Sequence, residues 1–231
     1  MALTDIERGT RPSRRRHPRV WSALAAVEVV LAGIAVVLDL LIPTFVLLGL
    51  AALSLLIRRA GPASLGLSRP EHPGRLVVEV FAVSVLWTLV TFAFTVPVVE
   101  RLTGDRRDVT MFETLEGNLG LLFGMLALSW TVAAFGEELA YRGFVLTRLR
   151  EVLPGGVPSL VVAAVLTSLL FGLAHTEQGA VGFVLTAIDS LLFIALRLHY
   201  RTLWASVLAH GFLNTTGMVT FFLVGPVYGL W

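Results

Sequence analysis

Cysteine is missing from this sequence, which removes disulfides, thiolate zinc sites and cysteine nucleophiles from consideration. Lysine is missing too. All 18 basic residues are arginine, a bias that a GC-rich genome produces and that carries no mechanism by itself. Charge of either sign is sparse, at 15% of the chain against about 25% in soluble domains. There is no His-Glu-x-x-His, so the zinc-helix peptidase signature is absent. No Gly-x-Ser-x-Gly stands in a helical stretch, and no pair of glycine-flanked aspartates occurs.

Apolar residues take the place that charge leaves. They make up 56% of 231 residues, with a mean hydropathy of +0.82. A water-soluble fold of this size has nowhere to bury so much apolar surface, so lipid is the expected solvent. The sequence pI near 9.6 does not call for a nucleic-acid partner. The arginines sit in short clusters beside apolar runs, as the positive-inside rule predicts. The first 19 residues are polar and hold Arg8, Arg11, Arg14, Arg15, Arg16 and Arg19. The apolar run after them leads to Asp39 and Pro43 rather than to a small-residue cleavage site. It reads as a retained first helix, preceded by a disordered basic tail (residues 1–19) on the anionic inner leaflet.

A helix needs roughly 20 apolar residues to cross a bilayer. Segments at about 20–41, 43–57, 76–97, 119–149, 159–175, 180–197 and 203–224 qualify. The expected fold is an all-α polytopic membrane bundle of about seven transmembrane helices, a single domain over residues 20–231. The basic N-tail, the stretch from Arg58 to Arg75, the turn with Arg148 and Arg150, and the turn with Arg197 and Arg201 fall at alternate helix ends. That predicts a multi-pass cell-membrane protein with its N-terminus in the cytoplasm and its C-terminus outside. The loop 98–118 offsets Arg101, Arg106 and Arg107 with Glu100, Asp105, Asp108, Glu113 and Glu116, which suits the outer side. After Glu138 the fourth segment turns amphipathic, so its last turns are expected to protrude into the cytoplasm before Pro154–Pro158 reverse the chain. Gly120 and Gly124, four apart, predict a close helix contact.

Ionisable groups inside membrane helices are expensive and are therefore candidates for function. Glu138 and Arg142 lie four apart, in the orientation that favours an ion pair. This leaves Glu137, about 100° around the helix, without a local counter-charge and available as a general base. Phe171-Gly-Leu-Ala-His175 closes the fifth segment, and His210-Gly-Phe-Leu-Asn214 sets two polar side chains on one face of the seventh. Counted from the turn at 151–158, Glu137 and His175 reach the same depth, roughly 20–24 Å at 1.5 Å per residue. His210 joins them if the hairpin near Arg201 is itself buried deeper. Glu28, Asp39 and Glu79 are explained by snorkelling or local pairing, and mid-helix Asp189 has no assigned role. One glutamate, two histidines and an asparagine can activate water and hold an oxyanion, with or without a metal.

Glu137-Glu138-x-x-x-Arg142, Phe171-x-x-x-His175 and His210-x-x-x-Asn214 resemble the three motifs of the CAAX protease and bacteriocin-processing (Abi) family of intramembrane proteases, over residues 119–224. Ser64-Leu65-Gly66-Leu67 resembles a recurring feature upstream of that core. The resemblance implies a bundle around a cytoplasm-facing cavity and a CAAX-type endopeptidase acting on a membrane-associated protein or peptide. It implies that Glu137, assisted by His175, activates water, and that His210 and Asn214 stabilise the oxyanion. Glu138 and Arg142 would stand behind them. The cofactor stays open: Glu137, His175 and His210 suit catalytic zinc with one open position, and equally a metal-free glutamate base. Two rival classes remain. One is a non-catalytic immunity or regulatory scaffold that binds a bacteriocin or a protein partner. The other, a small-solute transporter using Asp189 and Glu79, lacks matched halves and broken helices. In bacteria, which generally lack prenylated CAAX proteins, the label names a family rather than a substrate. No motif speaks to oligomeric state.

Overall fold

The computed structural model describes residues 18–225. The basic tail, up to residue 17, lies outside the described residues. Proline opens three of the helices, at positions where its missing N–H is no loss. In chain order the long helices are α1 (Pro18–Val37), α2 (Pro43–Arg58), α3 (Pro73–Thr103), α4 (Leu119–Val152), α5 (Val157–Leu173), α6 (Gly179–Tyr200) and α7 (Leu203–Val224), and no strand occurs among the described residues. Five of these (α1, α3, α4, α6 and α7) are long and apolar enough to cross a membrane. The chain is a multi-pass helical membrane protein. The other two of the expected seven crossings are the apolar but shorter α2 and α5, of 16 and 17 residues.

Several expected boundaries move, for local reasons. α1 stops at Val37 rather than near 41, because Asp39 and Leu41 adopt left-handed φ values of 46° and 55° ahead of Pro43. α3 runs past 97 to Thr103, so the loop expected at 98–118 begins only at 104. Pro97 does not end this helix. A π turn over Thr91–Thr95 loosens it just before the proline, which then sits at the start of the next α segment. α4 is uninterrupted for 34 residues, with i→i+5 hydrogen bonding from Ser129 to Val145.

Most of α4 after Glu138 is packed inside the bundle, and only its end at Arg150–Val152 is exposed. Tyr141, Phe144 and Leu146 are fully buried, packed in one core with Leu47 of α2 and Ala32 and Ala35 of α1. The charges that made this stretch look amphipathic find partners inside the bundle, Arg142 with Glu138 and Arg148 with Glu28. The predicted contact at Gly120 and Gly124 is also absent. A Cβ at Gly124 would meet nothing within 4 Å, and one at Gly120 only the nearby Asn118 side chain.

Successive helices alternate in direction, which gives the bundle two distinct ends. At one, Arg58 pairs with Glu28 (2.9 Å) and Glu151 (2.8 Å), and Leu203 N donates to Gly66 O (2.7 Å). Leu65 of the Ser64–Leu67 segment is fully buried there, in the turn that leads to α3. At the other, Asp108 N donates to Gln178 O (3.2 Å) and Gly117 N to Phe222 O (3.0 Å). The first, basic end carries the turns with Arg58, Arg59, Arg69, Arg150 and Arg201; the second, acidic end carries Asp39, the 104–118 loop and Glu177.

Candidate active site

Two glycines let the helices close around the site. A Cβ at Gly172 would stand 2.7 Å from Phe183 O, so α5 and α6 could not approach so closely with any other residue there. A Cβ at Gly211 would overlap the Trp130 ring, whose Nε1 donates to Thr215 Oγ1 at 3.1 Å and ties α4 to α7. Each glycine directly follows the first residue of its motif, Phe171 or His210.

The polar centre is built on Glu138, which is fully buried. Its Oε1 lies 2.9 Å from Arg142 Nη1 and 3.0 Å from His210 Nδ1. Arg142 is fully buried too, with its guanidinium carbon 3.9 Å from the Phe171 ring centroid and 5.0 Å from that of Phe193. None of its nitrogens reaches hydrogen-bond geometry, so the cation is held by charge and by two ring faces. Phe193 also stacks on His210, with centroids 5.0 Å apart and planes 12° apart. Arg197 donates to the carbonyl of Arg142 from the basic side.

Glu137 is left differently. Its Oε2 is buried with no hydrogen-bond partner among the described residues. The nearest basic atom is His175 Nε2 at 3.9 Å, too far for a direct hydrogen bond. His175 Nδ1 lies 2.8 Å from Phe171 O. A carbonyl only accepts, so Nδ1 carries the proton and Nε2 is bare towards Glu137. By the same argument His210 donates from Nδ1 to Glu138 and keeps Nε2 for the cavity. Asn214 donates from Nδ2 to Ser129 Oγ (3.1 Å).

Glu137, His175, His210 and Asn214 all line one cavity of about 210 Å³. Glu138 and Arg142 lie behind its wall. Asp189, without a role on sequence grounds, lines the same cavity and accepts from Trp87 Nε1 at 2.7 Å. Arg107 reaches it from the loop and donates to Gln178 Oε1 (2.9 Å). Burial pushes its guanidinium below the usual value without discharging it. Phe193, Trp130 and Ser129 escaped the sequence reading. The spacing of Asp189 and Phe193, four apart on one face of α6, was the available signal.

The cavity lies in the middle of the bundle, at Glu137, Phe193 and His210, and extends towards the acidic end. It is lined from Thr88–Phe92 of α3, from the loop at Arg107, Val109 and Phe112, and from Phe221 late in α7, with nothing from the basic turns. Among the described residues, no three His, Asp or Glu groups are placed to hold a metal ion. As arranged, Glu137, His175 and His210 do not fit a zinc site.

Fold and site define a multi-pass helical membrane protein with an acid, imidazole and amide site in a cavity between its helices. Residues 119–216, a stretch that carries all three motifs, are similar to the family model described as type II CAAX prenyl endopeptidase Rce1-like. The match covers none of residues 1–118. No curated protein and no solved structure matches the chain.

Proposed function

We propose that the chain is an intramembrane endopeptidase that hydrolyses a peptide bond in a membrane-associated protein or peptide. The observation that carries this reading is the orphaned Oε2 of Glu137 facing bare Nε2 of His175 across 3.9 Å, on the wall of a cavity. Both atoms accept, so a water that donates a hydrogen to each spans the gap and turns its oxygen lone pairs to the cavity. Glu137 takes the proton as that oxygen attacks a peptide carbonyl, and returns it to the leaving amine. The oxyanion accepts from the second amide hydrogen of Asn214 and from His210 Nε2. That nitrogen donates when the ring is doubly protonated, with Nδ1 still held by Glu138. Each such donor contributes about 3–4 kcal/mol to the transition state. Glu138 and Arg142 are positioning residues, fixing the His210 ring. No step needs a metal.

The test compares membrane-protein fragments in cells carrying the wild-type chain with those in cells carrying Glu137→Gln. Fragments made by the wild type are expected to vanish in the variant while the protein accumulates to the same level. Identical fragments from both would sink the reading. Exhaustive chelation, checked by elemental analysis, is expected to leave cleavage intact.

A further inference from the structure

We propose that the cavity carries a subsite for a carboxylate, with the guanidinium of Arg107 as its receptor. That this carboxylate belongs to the substrate rests on the peptidase reading; the subsite itself does not.

Arg107 lies outside residues 119–216, yet it lines the same cavity as Glu137, His175, His210 and Asn214. Its side chain is fixed along one edge. Nε (2.9 Å) and Nη2 both donate to Gln178 Oε1. Gln178 is fixed in turn, its Nε2 donating to Glu177 Oε1 (3.0 Å) and its carbonyl accepting from Asp108 N (3.2 Å). Room for it comes from Gly182, where a Cβ would overlap Gln178 Cβ. A guanidinium has five N–H groups, and two of these are spent on one neutral oxygen. The far edge, Nη1 with the second hydrogen of Nη2, has no hydrogen-bond partner among the described residues. Two parallel N–H groups of this kind grip a carboxylate through both its oxygens.

The acids around Arg107 are turned to other groups. Asp108 Oδ1 accepts from the N–H and the hydroxyl of Thr110 (3.0 and 2.7 Å), and Asp105 Oδ1 accepts from Arg106 N (2.8 Å). Asp189 lines the cavity, but its Oδ1 is taken by Trp87 Nε1 (2.7 Å). Among the described residues, no acid oxygen stands within ion-pair distance of Arg107. Asp189 and Glu177 act on it through space, which eases the cost of holding a cation there without occupying its edge. Asp189 and Glu137 also repel an anion elsewhere in the cavity, so the favourable place for a carboxylate is confined to the guanidinium. At about 210 Å³ the cavity is smaller than the roughly 300–1,000 Å³ of sites for drug-sized ligands. It suits a chain terminus or one acidic side chain.

Two pairs of small probes separate these sources. N-acetyl-leucine carries a terminal carboxylate and is matched by neutral N-acetyl-leucinamide. The α-amide of N-acetyl-aspartic acid carries a side-chain carboxylate and is matched by the α-amide of N-acetyl-asparagine. Each is titrated against the full chain in lipid nanodiscs while the unfolding midpoint is followed. At least one acid is expected to bind about tenfold or more tightly than its neutral match, as for a hydrogen bond to a charged group. The acid that does so names the source. In Arg107→Gln the preference is expected to vanish. Neutral probes that bind as tightly as both acids overturn the inference, and that comparison needs only the wild-type chain. A preference that survives in Arg107→Gln overturns it too, because another group then holds the acid. For the substrate, fragments lost with Glu137→Gln are expected to be lost with Arg107→Gln at equal protein level. Fragments that persist at the wild-type level sink that half. If no fragment depends on Glu137, the peptidase reading fails while the probes still report the subsite.

Discussion

The molecule contains two clusters of carboxylates and arginines, and they differ in what is left over. Near the basic end Glu28 pairs with both Arg58 and Arg148 (2.9 and 3.1 Å), and Glu151 pairs with the same two arginines. Each acid there has a cation and each cation an acid, tying α1, α2 and α4 together. In the cavity, Glu138 is satisfied in the same way by Arg142 and His210, but Glu137 beside it is not. A buried acid in a membrane helix is therefore not in itself a sign of chemistry. The sign is an acid whose oxygen has no partner and faces open volume.

That contrast can be broken from either side. The largest effect is expected for Glu137→Gln, a loss of about 10²–10⁴ in cleavage rate with no loss of thermal stability in detergent, since no partner is stranded. Glu28→Gln should do the reverse. Leaving Arg148 and Arg58 under-compensated costs about 3–5 kcal/mol by analogy with broken buried pairs, read as a lower unfolding midpoint, while the activity per folded molecule is unchanged. Glu138→Gln joins the two behaviours. It strands Arg142 at a similar cost in stability and frees His210, so kcat falls as well. Asn214→Ala should lower kcat by about 10²–10³ with little change in KM, as for a lost oxyanion donor. The smallest effect is that of Gly211→Ala, which forces Trp130 aside for about 1–3 kcal/mol and is measured as a modest stability loss.

Much of this was legible in the residues. The apolar segments gave helices at nearly the right places, and the i, i+4 spacings picked out Glu138–Arg142 as the pair that leaves Glu137 open. The hidden part depends on which face of a helix meets which neighbour. Gly120 and Gly124 have the spacing of a contact motif yet face open space, whereas Gly172 and Gly211 carry the close approaches with no such pattern. Arg148 reads as part of an exposed stripe because its partner Glu28 stands on α1, outside any local window. The depth count brought Glu137 and His175 to one level. It said nothing of the 104–118 loop, which brings Arg107, Val109 and Phe112 to the wall of the intervening space.

The i→i+5 winding of α4 across Ser129–Val145 bears on how such a centre can change. A turn of this kind holds one residue more than an ordinary α turn. Rewinding a single turn swings the later part of the helix by roughly one residue's bearing, about 100°. Glu137, Glu138 and Arg142 all lie within this stretch, so its winding sets the bearing of both acids on the neighbouring helices.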